Sequence, residues 1–250
     1  MKKGIKYLII GICAVFLAIF TFLFIDFCFA DFSFNGFIYG GKWKSYEKVY
    51  EASEVLSLKI GLYKGSFTVK TSTDGKIKLE YNEGKKCSYS FTEKDGEITI
   101  RQVSKRLFFP ISFRQTKYDA VLYLPENYDG DLKTSVSDGN VFIEETSFED
   151  LDVSCGTGNV TLKNIFSSSI KATILKGNLF FKGIDGNIIT LSSENGNVQG
   201  TLPFDIGEYT VKSVIKNKGK CNLPESTYGG KKYLTVQVYT GNIDITFLSE

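Results

Sequence analysis

Four residues before a glycine that recurs along the C-terminal half stand Ser135, Ser154, Thr173 and Ser192, one hydroxyl every nineteen residues, until the row ends at Ile215. Hydroxyls repeated in this way can hydrogen-bond a glycan or a peptide. Two phenylalanines at outward positions, Phe142 and Phe180, could add aromatic contact to a sugar. The plainer reading of the same residues is a solvated strand face with hydroxyl pairs between neighbouring strands.

Other chemistries lack their residues. The chain contains no histidine, which removes Ser–His and Cys–His nucleophile pairs and the common zinc sites. A hydrolase or lyase built on repeats would gather carboxylates on one face of adjacent units. Three residues after each recurring glycine stand Phe142, Thr161, Phe180, Gln199, Asn222 and Asp244. Five after it stand Glu144, Lys163, Lys182, Thr201, Pro224 and Thr246, so no acidic stripe forms. Asp185 and Asp205 do not recur in register, which speaks against a calcium-binding repeat. Cys87, Cys155 and Cys221 match no zinc spacing, and an odd number cannot all pair within one chain. No catalytic residue, metal or cofactor is expected.

The elements that would carry the hydroxyl row are legible from the glycines themselves. Gly139, Gly158, Gly177 and Gly196 are spaced by nineteen, and Gly219 and Gly241 continue the series at steps of 23 and 22. Asn140, Asn159, Asn178, Asn197 and Asn242 follow five of these glycines. Apolar residues fall two and four after the glycine, as in Val141 and Ile143, and seven and five before it, as in Leu151 and Val153. Period two on both sides of a glycine describes strand, turn, strand, with alternate side chains facing a common interior. One such unit cannot bury its own face, so neighbours must stack. Glycine suits a turn that needs positive φ, and stacked asparagines can hydrogen-bond one another. Lys212 breaks the pattern at an inward position, and Gly200 leaves one inward position without a side chain. The same register puts Cys155 and Cys221 inside as small core residues, which favours buried free thiols over a disulfide.

Upstream, Phe67 to Thr71, Lys76 to Tyr81, Glu97 to Arg101 and Ala120 to Leu124 alternate as strands, with Asp74-Gly75 and Asp95-Gly96 between them as hairpin signals. A basic and aromatic interruption containing Arg106, Phe108, Phe109 and Phe113 could touch lipid or a partner protein, or fold back on the sheet.

At the N-terminus, Lys2, Lys3 and Lys6 precede an uncharged apolar run from Tyr7 to Ile25 that Asp26 ends. At about 1.5 Å per residue such a run just crosses a bilayer core. The lysines would stay cytoplasmic and the rest would be exported. A cleaved signal peptide ending at Cys28-Phe29-Ala30 is the competing reading. Without the first thirty residues, Lys plus Arg falls from 30 to 27 and Asp plus Glu from 28 to 27. So balanced a surface offers no field for nucleic acid. The segment from Asp31 into Glu54 reads as an aromatic-rich connector.

These features together resemble the bacterial putative-adhesin family of β-strand-repeat proteins: an N-terminal anchor, an early strand region closing with Val121-Leu122-Tyr123-Leu124-Pro125, and Gly-Asn-aliphatic repeats to the C-terminus. The resemblance implies an extracytoplasmic β-solenoid, sometimes linked to envelope-stress systems of Gram-positive bacteria, with no established catalytic residues. The expectation is an all-β chain: an anchor over 1–30, a connector over 31–54, an antiparallel strand region over 55–130 and a short parallel β-solenoid of about six coils over 131–250. Its expected role is adhesin-like binding or scaffolding at the cell membrane, with a membrane partner or an envelope glycan. An accessory subunit of an envelope-stress sensor and a carboxylate-dependent carbohydrate-active enzyme are the alternatives.

Overall fold

The computed structural model describes residues 3–29, 43–84, 87–104 and 118–248. The backbone of Lys3–Phe29 forms one helix, α1. Counting only residues described with their side chains, no helix is long and apolar enough to cross a membrane. Ala30 of the proposed cleavage site and the basic, aromatic interruption with Arg106, Phe108, Phe109 and Phe113 lie outside the described residues.

Apart from two short 3-10 turns, Ala52–Glu54 and Ile206–Glu208, the regular structure in the rest of the described residues is β. The first strands are β1 (Lys44–Glu51), β2 (Ser57–Lys64), β3 (Phe67–Ser72), β4 (Lys76–Glu83), β5 (Cys87–Lys94), β6 (Glu97–Ser104) and β7 (Ala120–Pro125). The repeats supply β8 (Asp131–Asp138), β9 (Val141–Thr157), β10 (Val160–Lys176), β11 (Leu179–Asn195), β12 (Val198–Leu202), β13 (Tyr209–Lys218), β14 (Lys232–Thr240) and β15 (Ile243–Phe247).

The repeat is a parallel coil. β9, β10 and β11 pair in register with the expected offset, Val141 beside Val160 beside Leu179 and Leu151 beside Ile170 beside Ile189. Each coil has two legs joined at a glycine corner, and both legs send alternate residues to one interior. Leu151, Val153, Ile170, Ala172, Ile189 and Leu191 line it from one leg, and Val141, Ile143, Val160, Leu162 and Leu179 from the other, all essentially free of solvent. Each such Leu, Ile or Val contributes about 1.5–3 kcal/mol on burial, so the stack is held chiefly by these rows.

A second corner escaped the sequence. Glu145, Asn164 and Gly183 recur at the repeat spacing with φ of 54°, 50° and 64°. They turn the chain between the two legs. Asn and Gly tolerate this conformation readily, whereas Glu145 gives no sign of it in its residue type.

The stack is longer than the expected six coils, and its ends are out of chain order. β2 pairs in parallel with β8 along Ser57 to Lys64, and β3 pairs in parallel with β9. Gly65 is therefore another corner of the series, with Leu58 and Ile60 before it and Phe67 and Val69 after it, all buried. β6 and β7 form a further coil, parallel to β2 and β3. The N-terminal region is thus not simply antiparallel; its antiparallel pairs are β1 with β4, β4 with β7 and β5 with β6. β2 and β3 pair with β8 and β9 across residue 130, and the segment read as the connector contributes β1.

Asp95-Gly96 is a true hairpin, joining β5 to β6 with φ of 51° and 78°, the two positive angles of a tight β-turn. Asp74-Gly75 is not, because β7 lies between β3 and β4 and pairs with both.

At the other end β14 lies between β11 and β13, so the coil turning at Gly241 is inserted between those turning at Gly196 and Gly219. A register shift in β13 between Ile215 and Lys218 explains Lys212. One extra residue before Gly219 exchanges inward and outward positions. Val211 and Ser213 are accordingly buried, while Lys212 and Val214 are exposed. Gly200 has its own reason: a Cβ there would collide with the Phe181 ring and carbonyl, so the buried Phe181 fills the space of both.

Candidate functional site

The glycine corners stack so closely that a Cβ on Gly158 would overlap the carbonyl oxygen of Gly139, and one on Gly177 that of Gly158. These φ angles, 145° and 136°, also exclude most side chains. Beside them runs an asparagine ladder. The Asn159 N–H donates to Oδ1 of Asn140, Asn178 to Asn159 and Asn197 to Asn178, each at 2.9 Å. It continues through Asn242 N–H to Asn197 Oδ1 and ends with Lys220 N–H on Asn242 Oδ1, both at 2.8 Å. The ladder follows the spatial order of the coils, and it fixes the height of each leg relative to the next.

That fixed register aligns the hydroxyls. Ser135, Ser154, Thr173 and Ser192 are successive partners across β8, β9, β10 and β11. Neighbouring strands are about 4.8 Å apart, so the row climbs the stack axis one hydroxyl per coil. Ser135 is exposed and the other three are half-buried. The row extends further than its sequence suggests. Ser135 pairs with Gly61 and Gly61 with Arg101 on one side, and Ser192 pairs with Gln237 on the other. Sequence reasoning missed Gly61, Arg101 and Gln237 because all three come from out-of-order coils. The fit of Gly65 to the glycine register was the signal that could have found Gly61. The row ends at Val214, beside Gln237, rather than at Ile215, because of the shift in β13.

Phe142 and Phe180 are not brought to this face. They stand on the other leg, aligned through Thr161, beyond the glycine corner. Because both legs turn their inward side chains to one interior, their outward faces diverge, and one sugar ring cannot touch both rows. Phe180 is exposed and Phe142 half-buried.

Ion pairs flank the hydroxyls. Lys133 Nζ lies 3.3 Å from Asp152 and Lys171 3.9 Å from the same oxygen, while Lys59 pairs with Glu97. The Lys59 hydrogen bond holds the Glu97 carboxyl below its usual range, and Ser72 does the same for Asp74. Neither shift suits a general acid at neutral pH. Among the described residues no three His, Cys, Asp or Glu side chains gather to hold a metal.

Among the described residues, Cys13, Cys87, Cys155 and Cys221 are free. Cys87 and Cys155 are buried, and burial pushes each thiol up to about 11. Cys221 corrects the expectation of a core residue, since it is exposed. It lines a cavity of about 840 Å³ with Val211, Ser213, Ile215 and Leu223, closed on its other side by the segment around Ser226, which bridges to Lys212 of β13.

A family model described as Toastrack DUF4097 matches residues 57–247. Among solved structures, a "putative cell adhesion protein" from Clostridium sporogenes is 17% identical with a TM-score of 0.52, covering 83% of this chain and 100% of its own. A "putative adhesin" from Bacteroides fragilis is 14% identical with a TM-score of 0.47, covering 81% and 97%. The first likeness shows a shared fold. No curated protein matches the chain.

Proposed function

The chain belongs to the Toastrack DUF4097 family, and on that premise we propose that it is a non-catalytic, adhesin-like binding protein of the cell envelope that holds an extended glycan on the hydroxyl row. The observation that carries the reading is the axial alignment of Ser135, Ser154, Thr173 and Ser192. A step of about 4.8 Å per hydroxyl is close to the length of one pyranose unit, whereas an extended peptide advances about 3.3 Å per residue and would fall out of step. The solved structure described as a "putative cell adhesion protein" supports the class of function.

The protein is held at the outer face of the cytoplasmic membrane by α1. This rests on the lysines before the apolar run and on helix side chains such as Ile10, Phe16, Leu17 and Phe20, which are exposed. An apolar helix surface of this kind needs lipid or protein around it.

Full-length protein in detergent, applied to an array of bacterial envelope glycans, is expected to retain linear glycans and to lose them in the Ser154→Ala/Thr173→Val double variant. Folded protein that retains none would overturn the binding reading. Protease added to intact cells should remove the β-structure and spare the N-terminus. Protection of the whole chain would contradict the topology.

A further inference from the structure

We propose that the hydroxyl row ends in an anion-binding notch centred on Gly61, which selects a carboxylate-bearing linear glycan. This rests on the glycan reading above and names the chemistry of its ligand.

The notch is built by a parting of strands. β2 and β6 pair from Ser57 as far as Gly61 beside Arg101, and there the ladder stops. The Gln102 side chain replaces it: Oε1 accepts from the N–H groups of Tyr63 and Lys64, at 3.0 and 2.9 Å, and Nε2 donates to the Lys64 carbonyl at 3.0 Å. Nε2 also donates to the Tyr89 hydroxyl at 3.1 Å. The amide thus holds the two backbones apart at a fixed distance. Between Arg101 and Ser135 the row has only Gly61, so a side chain is missing where the strands diverge. The resulting groove, about 390 Å³, is lined by Arg101, Lys59, Lys133, Ser135, Ser137 and Tyr63, among others.

Charge decides the occupant. Lys59 is committed to Glu97 and Lys133 to Asp152. Arg101 is exposed and has no ion pair among the described residues. Its guanidinium can present two parallel N–H donors to one carboxylate. The Ser135 hydroxyl lies two strands away, roughly 10 Å along the axis, in line with the next sugar. A carboxylate on the terminal or penultimate unit of a glycan lying on the row therefore meets Arg101 while the following units meet Ser135 and Ser154.

Two variants separate the notch from the fold. Gly61→Thr fills it without collision, since a Cβ there has its nearest neighbours at 3.9 and 4.0 Å. Arg101→Gln removes the charge. Calorimetric titration of the full-length protein with oligogalacturonate is expected to show binding that falls about tenfold or more in each variant, as for loss of a charge-assisted contact. A neutral cello-oligosaccharide of equal length should bind weakly and equally to all three proteins.

Unchanged oligogalacturonate affinity in Arg101→Gln would overturn the notch and leave the hydroxyl row standing. Binding of neither glycan would sink the glycan reading itself. Equal or tighter binding of oligoglutamate, or of phosphatidylglycerol vesicles, would transfer the site to an acidic peptide or a lipid surface and likewise reject the glycan.

Discussion

In the middle of the stack, chain order and spatial order coincide, whereas at both ends they are exchanged. From Gly139 to Gly196 each coil rests on the one made just before it, and the Asn ladder joins residues nineteen apart. At the C-terminal end the same bond spans forty-five residues, from Asn242 to Asn197, because β13 must stand aside for β14. At the N-terminal end β2 lies between β6 and β8. β2 and β14, near the two limits of the β-structure, are thereby paired along both edges, whereas β5 pairs only with β6, and β13 pairs with β14 and is bridged on its other edge to Ser226. A strand paired on both sides cannot fray or recruit another chain as an edge strand can. β1, the outer antiparallel strand, is defended differently, by Lys48, Glu47 and Glu51 paired with Glu93, Lys78 and Lys76.

The sharpest way to break the comparison is at a corner of the middle. Gly177→Val forces a side chain into the Gly158 carbonyl at φ 136° and is expected to abolish cooperative folding, by more than about 4 kcal/mol. Gly75→Val, with positive φ but open space around it, should cost about 1–2 kcal/mol. Urea denaturation followed by circular dichroism compares the two, and equal effects would remove the steric account of the stack.

Next in size is the pin of the inserted coil. Lys232 at the start of β14 donates to Asp185 of β11 at 2.6 Å, with both side chains mostly buried. Lys232→Met leaves the Asp185 carboxylate without its partner and should cost about 1–3 kcal/mol, less than a fully buried pair. Hydrogen exchange should accelerate in β13, β14 and β15 and stay unchanged in β9 and β10. Uniform acceleration would mean that the ends and the middle unfold as one unit.

A smaller effect tests the ladder. Asn178→Ala removes the acceptor of the Asn197 N–H and should cost about 1 kcal/mol in urea denaturation. No change would demote the ladder to a by-product of the register.

The smallest effect is chemical. Iodoacetamide at pH 8 should label Cys221 and leave Cys87 and Cys155 untouched. Burial raises both buried thiols from 9.0 to about 11, so the native state holds their protons more tightly than the unfolded chain. Their contribution to stability is complete below pH 9 and lost as pH rises through about 11. Labelling of Cys155 at pH 8 in folded protein would contradict its place in the core.

The division between middle and ends also governs what could be read from the residues. Local periodicity reports which face a side chain takes, and therefore the corners at Gly139 to Gly196, the Asn ladder and the alignment of Ser135 with Ser192 were visible. Order of stacking is set by long-range pairing, which leaves no local trace, so the insertion of β14 was not. The bulge in β13 turned Lys212 from an anomaly into an outward residue, and only the partner strand reveals it. Cys221 was expected in the core, but it follows the end of β13 and meets only an isolated bridge to Ile243, an arrangement that the local register does not report. Arg101 and Gly61 carry no motif, since their relation to Ser135 exists only once β6 and β2 stack on β8.

The most direct test of the central claim is an NMR titration of the full-length protein with a linear glycan retained on the array, following backbone amide shifts. The account predicts changes that run along the axis through Gly61, Ser135, Ser154, Thr173 and Ser192, with none at Phe142 and Phe180. Shifts confined to the Phe142 and Phe180 leg, or to the cavity around Cys221, would contradict it.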